Sequence, residues 1–179
     1  MRVQTQFLLI NIIGGVAVLG GYIIALLNHP ETRNELWGGV PENLRLSIIA
    51  FMFVSAFGYC FAMYYLIFSE GLDLNFFWGK FDYKLLRMLL IVFLITAALW
   101  IHTTFIYLDS GSKTSWTFVQ IELWLTGASV FLMMIGLATA TGVKHNSFHL
   151  YSIIGLSAIS FHCLILDAFL WLNKFPLKS

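Results

Sequence analysis

Charged side chains are scarce in this sequence. They make up 11% of its 179 residues, whereas 59% are apolar, and the mean hydropathy is +0.83. Soluble globular domains carry about 25% charged residues, so this composition excludes that class. The net charge of +1 offers no basic surface for a nucleic acid, and no run of basic residues marks a segment that binds anionic lipid.

The sequence also lacks recognisable catalytic and metal-binding motifs. It has no P-loop, no G-x-S-x-G elbow and no H-E-x-x-H, which removes support for the enzyme classes that use them. Its two cysteines, Cys60 and Cys163, lie in apolar runs outside any C-x-x-C pattern and are expected to be buried free thiols. His145 and His149 are four residues apart, but no acidic or thiol neighbour accompanies them, so no metal site is predicted.

What the sequence does have is five long apolar runs. Crossing a hydrocarbon core about 30 Å thick takes about 20 apolar residues in a helix, whose backbone polar groups are then satisfied internally. The first run is too long for a signal-peptide core and lacks an Ala-x-Ala site, so we expect a retained helix. The sequence therefore predicts an all-α, polytopic integral membrane protein, a single five-transmembrane-helix bundle over 1–179 with helices near 7–27, 44–68, 84–108, 116–141 and 148–172.

Five spans put the two termini on opposite sides of a bilayer. We call the side at which the first helix begins side A and the opposite side, where the last helix ends, side B. Lysine and arginine tie at five near each side, so the positive-inside rule assigns no orientation and no host membrane.

Small residues mark the helix faces that are expected to pack inward, because lipid supplies no hydrophobic drive for helix association. The clearest stripe lies in the fourth helix, where polar and small residues alternate at steps of four and three. Shorter stripes contain Gly58 in the second helix and Gly155 in the fifth. The fourth-helix stripe consists of Glu122, Thr126, Ser129, Met133, Gly136 and Ala140.

Ionisable residues share one depth near side B. His102, Glu122 and Asp167 each lie five or six residues inside their helices, roughly 9 Å below the boundary at 1.5 Å per residue. His162 lies about a turn deeper, and Arg45 can reach the layer with its long side chain. A charged side chain in a membrane costs several kcal/mol and usually pairs or marks a functional path, so these groups are expected to interact.

Aromatic residues surround the same layer, with Trp100 and Trp124 one turn from His102 and Glu122. Carboxylates among tryptophans can hold a cation, or the polar head of an amphipathic molecule, through charge and cation–π attraction. The sequence therefore predicts a side B pocket, lined by these four residues with Arg45, His162 and Asp167, that binds or translocates a small amphipathic molecule or cation. An aromatic belt at the membrane interface is the alternative for the tryptophans.

Several other interpretations fit the same residues. The polar layer can be a structural cluster that locks helices or meets a partner membrane subunit or a second copy. Acid–base catalysis on a lipid-like substrate would use Glu122 or Asp167 with His102. A haem between His102 and His162 is a narrower option. The segment 28–43 predicts either a lid over the pocket or an interfacial connector anchored by Trp37, and its composition favours the connector.

Overall fold

The chain is all-helical in the computed structural model, which describes residues 1–69 and 71–175. Of these residues 85% are helical, and none of them forms a strand. Five helices are long and apolar enough to cross a membrane. They are α1 (Val3–Asn28), α2 (Glu42–Phe68), α3 (Tyr83–Ser110), α4 (Lys113–Ala138) and α5 (Asn146–Lys174).

The predicted helix count is confirmed, and each end lies within four residues of its predicted position. The largest difference at a C-terminal end concerns α4, which stops at Ala138 and not at 141. The chain beyond Ala138 pairs with the side A loop instead of continuing the helix. The backbone N–H of Trp78 donates to the Thr139 carbonyl at 2.9 Å, and Thr141 exchanges backbone hydrogen bonds with Asn75.

The fifth helix is not uniform, although the sequence predicts one regular helix. Asn146–Phe161 is α-helical, His162–Trp171 is π-helical, and Leu172–Lys174 returns to α-helix. In a π-helix the hydrogen bonds run between residues five apart, and such segments are frequent at functional sites. This wider winding determines which side chains of α5 face the same direction.

The five helices form a closed ring. Helix α1 packs on α3, α3 on α4, α4 on α5, and α5 on α2, while α2 completes the ring beside α1. Of these neighbouring pairs, α1 and α2 touch least. The ring therefore has one weakly packed seam, which lies between α1 and α2.

The closest helix contact joins α2 to α5 through two glycines. A Cβ added to Gly58 would lie only 2.7 Å from the Gly155 Cα, so the backbones meet where neither residue has a side chain. The Ser55 hydroxyl donates to the Ala158 carbonyl at 3.2 Å beside this contact. The predicted inward positions of Gly58 and Gly155 are confirmed, as expected for helices that associate through small residues.

Polar side chains join α3 to α4. The Thr126 and Thr96 hydroxyls are buried and lie 2.7 Å apart. Thr103 donates to a Glu122 carboxylate oxygen at 3.1 Å. In the predicted stripe of α4, Glu122 and Thr126 therefore contact α3, whereas Ala140 lies beyond the end of the helix at Ala138.

Helix α3 begins at a capping carboxylate on side A. The Asp82 side chain accepts a hydrogen bond from the Lys84 backbone N–H at 3.0 Å, which satisfies one free donor of the first turn. That bond, together with the nearby Lys84 ammonium group, lowers the pKa of Asp82 below its ordinary value. The cap fixes the start of α3 and thereby the depth of its side chains.

Candidate functional site

A cavity of about 280 Å³ lies at the side B end of the bundle. It is enclosed by α1, α2, α3, the π-helical segment of α5 and the loop that joins α1 to α2. Aliphatic side chains such as Met52 and Leu166 form part of its wall. Its aromatic and ionisable lining is Tyr22, Arg33, Trp37, Trp100, His162, Asp167 and Trp171.

The π-helical winding brings His162 and Asp167 together. In an α-helix, residues five apart point about 140° away from each other, since each residue turns the chain by about 100°. In the π-helical segment they lie one above the other, and His162 Nε2 is 3.6 Å from Asp167 Oδ2. Both side chains line the cavity. An acidic and a basic group of one helix thus share one face.

This pair leaves hydrogen-bonding capacity unused. The distance of 3.6 Å is too long for a hydrogen bond. His162 is buried, and among the described residues its Nδ1 has no hydrogen-bond partner. The Asp167 side chain is 30% exposed, toward a cavity that it lines. The Asp167 carboxylate is therefore available to a molecule in the cavity, and the His162 imidazole lies beside it.

The aromatic wall is held by its own hydrogen bonds. The Trp100 indole N–H donates to the Tyr22 hydroxyl at 2.8 Å, and the Trp171 indole N–H donates to the Leu36 carbonyl at 2.6 Å. The rings of Trp100 and Trp171 meet edge to face, with centroids 5.6 Å apart. Both indole N–H groups are therefore satisfied within the protein, and Tyr22, which accepts the bond from Trp100, retains its hydroxyl proton to donate.

The loop after α1 forms the side B wall of the cavity. It contains a 3₁₀ turn, Arg33–Trp37, and contributes Arg33, Trp37 and Val40 to the lining. The Gly39 N–H donates to the Lys174 carbonyl at 2.9 Å, which ties the loop to the end of α5. The segment 28–43 therefore contributes to the cavity wall, a position that both the lid and the connector interpretation allow, so the choice between them stays a prediction.

Arg45 does not reach the polar layer, contrary to the prediction. Its guanidinium lies 5.5 Å from the centroid of Trp37, and its Nε donates to the Val40 carbonyl at 3.3 Å. A second guanidinium nitrogen is 3.9 Å from the exposed Glu42 carboxylate. Arg45 thus supports two lining residues from behind, because its own loop offers nearer partners than Asp167 does.

The residues of the predicted layer do not lie together in the structure. His102 packs against α1, where a Cβ on Gly21 would lie 3.0 Å from its Nε2. Glu122 faces Thr103, and its second carboxylate oxygen is buried without a hydrogen-bond partner among the described residues. Trp124 is 48% exposed on the outer surface. None of these three lines the cavity, since equal depth does not imply the same helix face.

The cofactor alternatives gain no support from this arrangement. His102 does not line the cavity that His162 lines, so this cavity does not bring together the two imidazoles that the haem alternative requires. Among residues 1–69 and 71–175, no group of three histidine, cysteine or acidic residues could hold a metal ion. The site therefore offers a carboxylate, an imidazole, a hydroxyl and indole rings as its chemistry.

Sequence reasoning missed four of the aromatic and ionisable lining residues. Tyr22, Arg33 and Trp171 were not predicted to line the site, and Trp37 was expected to anchor a connector. Tyr22 carried a signal, because it is a polar aromatic residue inside the apolar run of α1, and in the structure it bonds to the predicted Trp100. The other three depend on how the loop folds back onto α5.

The interpretation of this cavity depends on its own geometry. No protein-family model, curated protein or solved structure matches the chain.

Proposed function

We propose that this protein crosses a lipid bilayer five times. Its five helices have the required length and hydropathy. Large apolar side chains also cover their outer faces, among them Ile13, 68% exposed, and Phe57, 77% exposed. Contiguous apolar surface of this kind is stable against hydrocarbon and not against water.

We further propose that the side B cavity binds the polar head of a small amphipathic molecule, held as a cation by Asp167. The observation that carries this proposal is the Asp167 carboxylate, which lines the cavity without a hydrogen bond from the described residues. Acidic groups inside a membrane usually pair or mark the path of a ligand. An ammonium group would supply the missing partner, and the rings of Trp100 and Trp171 would add cation–π attraction.

A purely structural role explains Glu122 better than it explains Asp167. Glu122 bonds to Thr103 of another helix and so helps to join α3 to α4. His162 and Asp167 belong to the same helix, so their interaction joins no two helices. Arg33 also lines the cavity, but it is exposed in the loop, where water and salt screen its charge. The Asp167 carboxylate inside the cavity therefore decides that the cavity prefers a cationic ligand.

Acid–base catalysis on a lipid-like substrate is the second candidate function. The specific observation in its favour is the juxtaposition of His162 and Asp167 on one cavity wall, since an imidazole and a carboxylate can exchange protons with a bound substrate. Chemical conversion of the bound molecule, lost in His162→Gln, would support it. Recovery of the ligand unchanged after long incubation would support binding alone.

The test is a titration of the protein in lipid nanodiscs with decylammonium. Loss of a charge-assisted hydrogen bond costs about 1.5–3 kcal/mol, so Asp167→Asn should weaken binding about 10- to 150-fold. Glu122→Gln is the matched control, because it makes the same chemical change at the same depth but outside the cavity. Its affinity should equal that of the wild type. Equal affinities for Asp167→Asn and Glu122→Gln would contradict the proposal.

A further inference from the structure

A second cavity, of about 540 Å³, lies in the seam between α1 and α2. Its walls include Gly15 of α1, Met63 of α2, Phe93 of α3 and Ile159 of α5. It therefore extends from the seam to helices on the far side of the ring. Leu19, 69% exposed, stands at its outer edge, so the seam opens toward the surface that faces lipid.

The two cavities follow one another along the same helices. On each of the four shared helices, the seam residue nearest to side B lies three or four positions from the nearest residue that lines the side B cavity. Three or four residues are about one helical turn, roughly 5 Å. The successive pairs are Leu19 and Tyr22, Ala56 and Met52, Ala97 and Trp100, and Ile159 and His162.

The seam is apolar along its length. The Tyr59 hydroxyl bonds to the Asn11 side-chain oxygen across it, and the Asn11 amide donates to the Phe7 carbonyl at 2.8 Å, so these two polar side chains satisfy each other and the backbone. From Leu8 to Val18 the seam follows α1 for about 15 Å. Such a passage suits hydrocarbon and offers nothing to a charged group.

We infer that the seam holds the alkyl chain of the ligand whose head lies at Asp167, and that this ligand enters sideways from the bilayer between α1 and α2. The inference rests on the proposed function of the side B cavity. It specifies the ligand class as a long-chain amine. The succession of the two cavities along four shared helices carries it, together with the buried Nδ1 of His162, which has no hydrogen-bond partner among the described residues and belongs to a side chain that lines the side B cavity.

Two glycines of α1 allow a matched test. Gly15 lines the seam, and a Cβ added there would meet nothing within 4 Å, so the side chain of Gly15→Phe starts in open space and is expected to occupy the seam. Gly20 has the same open surroundings but lines neither cavity. Gly20→Phe therefore adds the same ring to the same helix and leaves the seam open.

Both variants and the wild type are titrated in nanodiscs with decylammonium and with ethylammonium, which has a head but almost no chain. Gly15→Phe should weaken decylammonium binding by about tenfold or more, corresponding to about 1.4 kcal/mol. Ethylammonium binding should not change, and Gly20→Phe should match the wild type for both. If Gly15→Phe binds decylammonium as Gly20→Phe does, the chain lies elsewhere and the inference is wrong.

The same titrations distinguish this failure from failure of the proposed function. If Asp167→Asn still weakens both amines, the head site stands and only the seam is refuted. If Asp167→Asn changes neither, the proposed function fails first.

A photolabel on wild-type protein keeps the test independent of how the variants fold. Decylammonium with a diazirine on its last carbon should label the peptides of α1 and α2 that line the seam. Labelling confined to the outer groove between α1 and α3, at Leu9 and Ile91, would overturn the inference.

Discussion

Replacing Gly58 with alanine places a methyl group in the closest contact between α2 and α5. The new Cβ would lie 2.7 Å from the Gly155 Cα and 2.9 Å from its carbonyl oxygen. Ordinary contact begins near 3.4 Å, so the separation must grow by about 0.7 Å. Because the opposing atoms are backbone, no side chain can rotate away, and the helix itself must move.

The expected cost follows from that movement. Overpacking a close contact costs about 1–3 kcal/mol, and a gap of 0.5–1 Å along the interface forfeits a quarter to a half of its dispersion energy. Helix α2 also carries Met52 of the cavity wall, so the same movement should weaken decylammonium binding.

The assay is equilibrium unfolding in mixed micelles with increasing dodecyl sulfate, followed by tryptophan fluorescence. Gly20→Ala is the control, since it gains the same helix propensity at a site where its Cβ meets nothing within 4 Å. The free energy of unfolding should be lower for Gly58→Ala than for Gly20→Ala by about 1–3 kcal/mol. A difference below about 0.5 kcal/mol would refute the close contact of α2 with α5.

Three further predictions test other parts of the structure. Asp82→Ala should lower the Tm at pH 7. Because the Asp82 pKa is lowered in the folded state, the difference in Tm between wild type and variant should be full above the ordinary pKa of an aspartate, and it should vanish as the pH falls below the lowered pKa. Thr103→Val removes the donor to Glu122 and should cost about 0.6–1.7 kcal/mol in the same unfolding assay, whereas no loss would argue against that bond. Trp171→Phe removes the bond to the Leu36 carbonyl and should speed amide hydrogen exchange in residues 33–40, and unchanged exchange would show that the loop is held by other contacts.

The helices could be predicted from sequence because their apolar runs are long enough to cross a membrane. Apolar runs such as Leu46 to Ser69 contain no charged residue or histidine. In lipid, little else than a spanning helix satisfies the backbone N–H and carbonyl groups of so long an apolar segment. The end of α4 was less predictable. Thr139 and Thr141 are compatible with a helix, and only their pairing with the side A loop, distant in sequence, ends it at Ala138.

The direction of each side chain around its helix was not predictable from the sequence. His102 and Glu122 were expected to share a layer with Asp167, but in the structure they face Gly21 and Thr103. In a soluble helix, the apolar stripe reveals which face is buried. In a membrane helix the outer face is apolar too, so the pattern that would distinguish a cavity from a helix contact is weak.

The winding of α5 could not be predicted from the sequence. Counting at 3.6 residues per turn separates His162 from Asp167, and only the π-helical segment places them on one face. The loop around Trp37 was equally hidden, since its position over the cavity depends on the bond from Trp171 to Leu36, which joins residues 135 apart in sequence.

The most direct test of the proposed ligand site is a crystal structure of the protein with 10-bromodecylammonium, phased on the bromine. We expect the ammonium nitrogen about 3 Å from the Asp167 carboxylate and the anomalous bromine peak between α1 and α2, near Gly15 and Tyr59. An ammonium group that lies away from Asp167, with the bromine on the outer groove between α1 and α3, would contradict it.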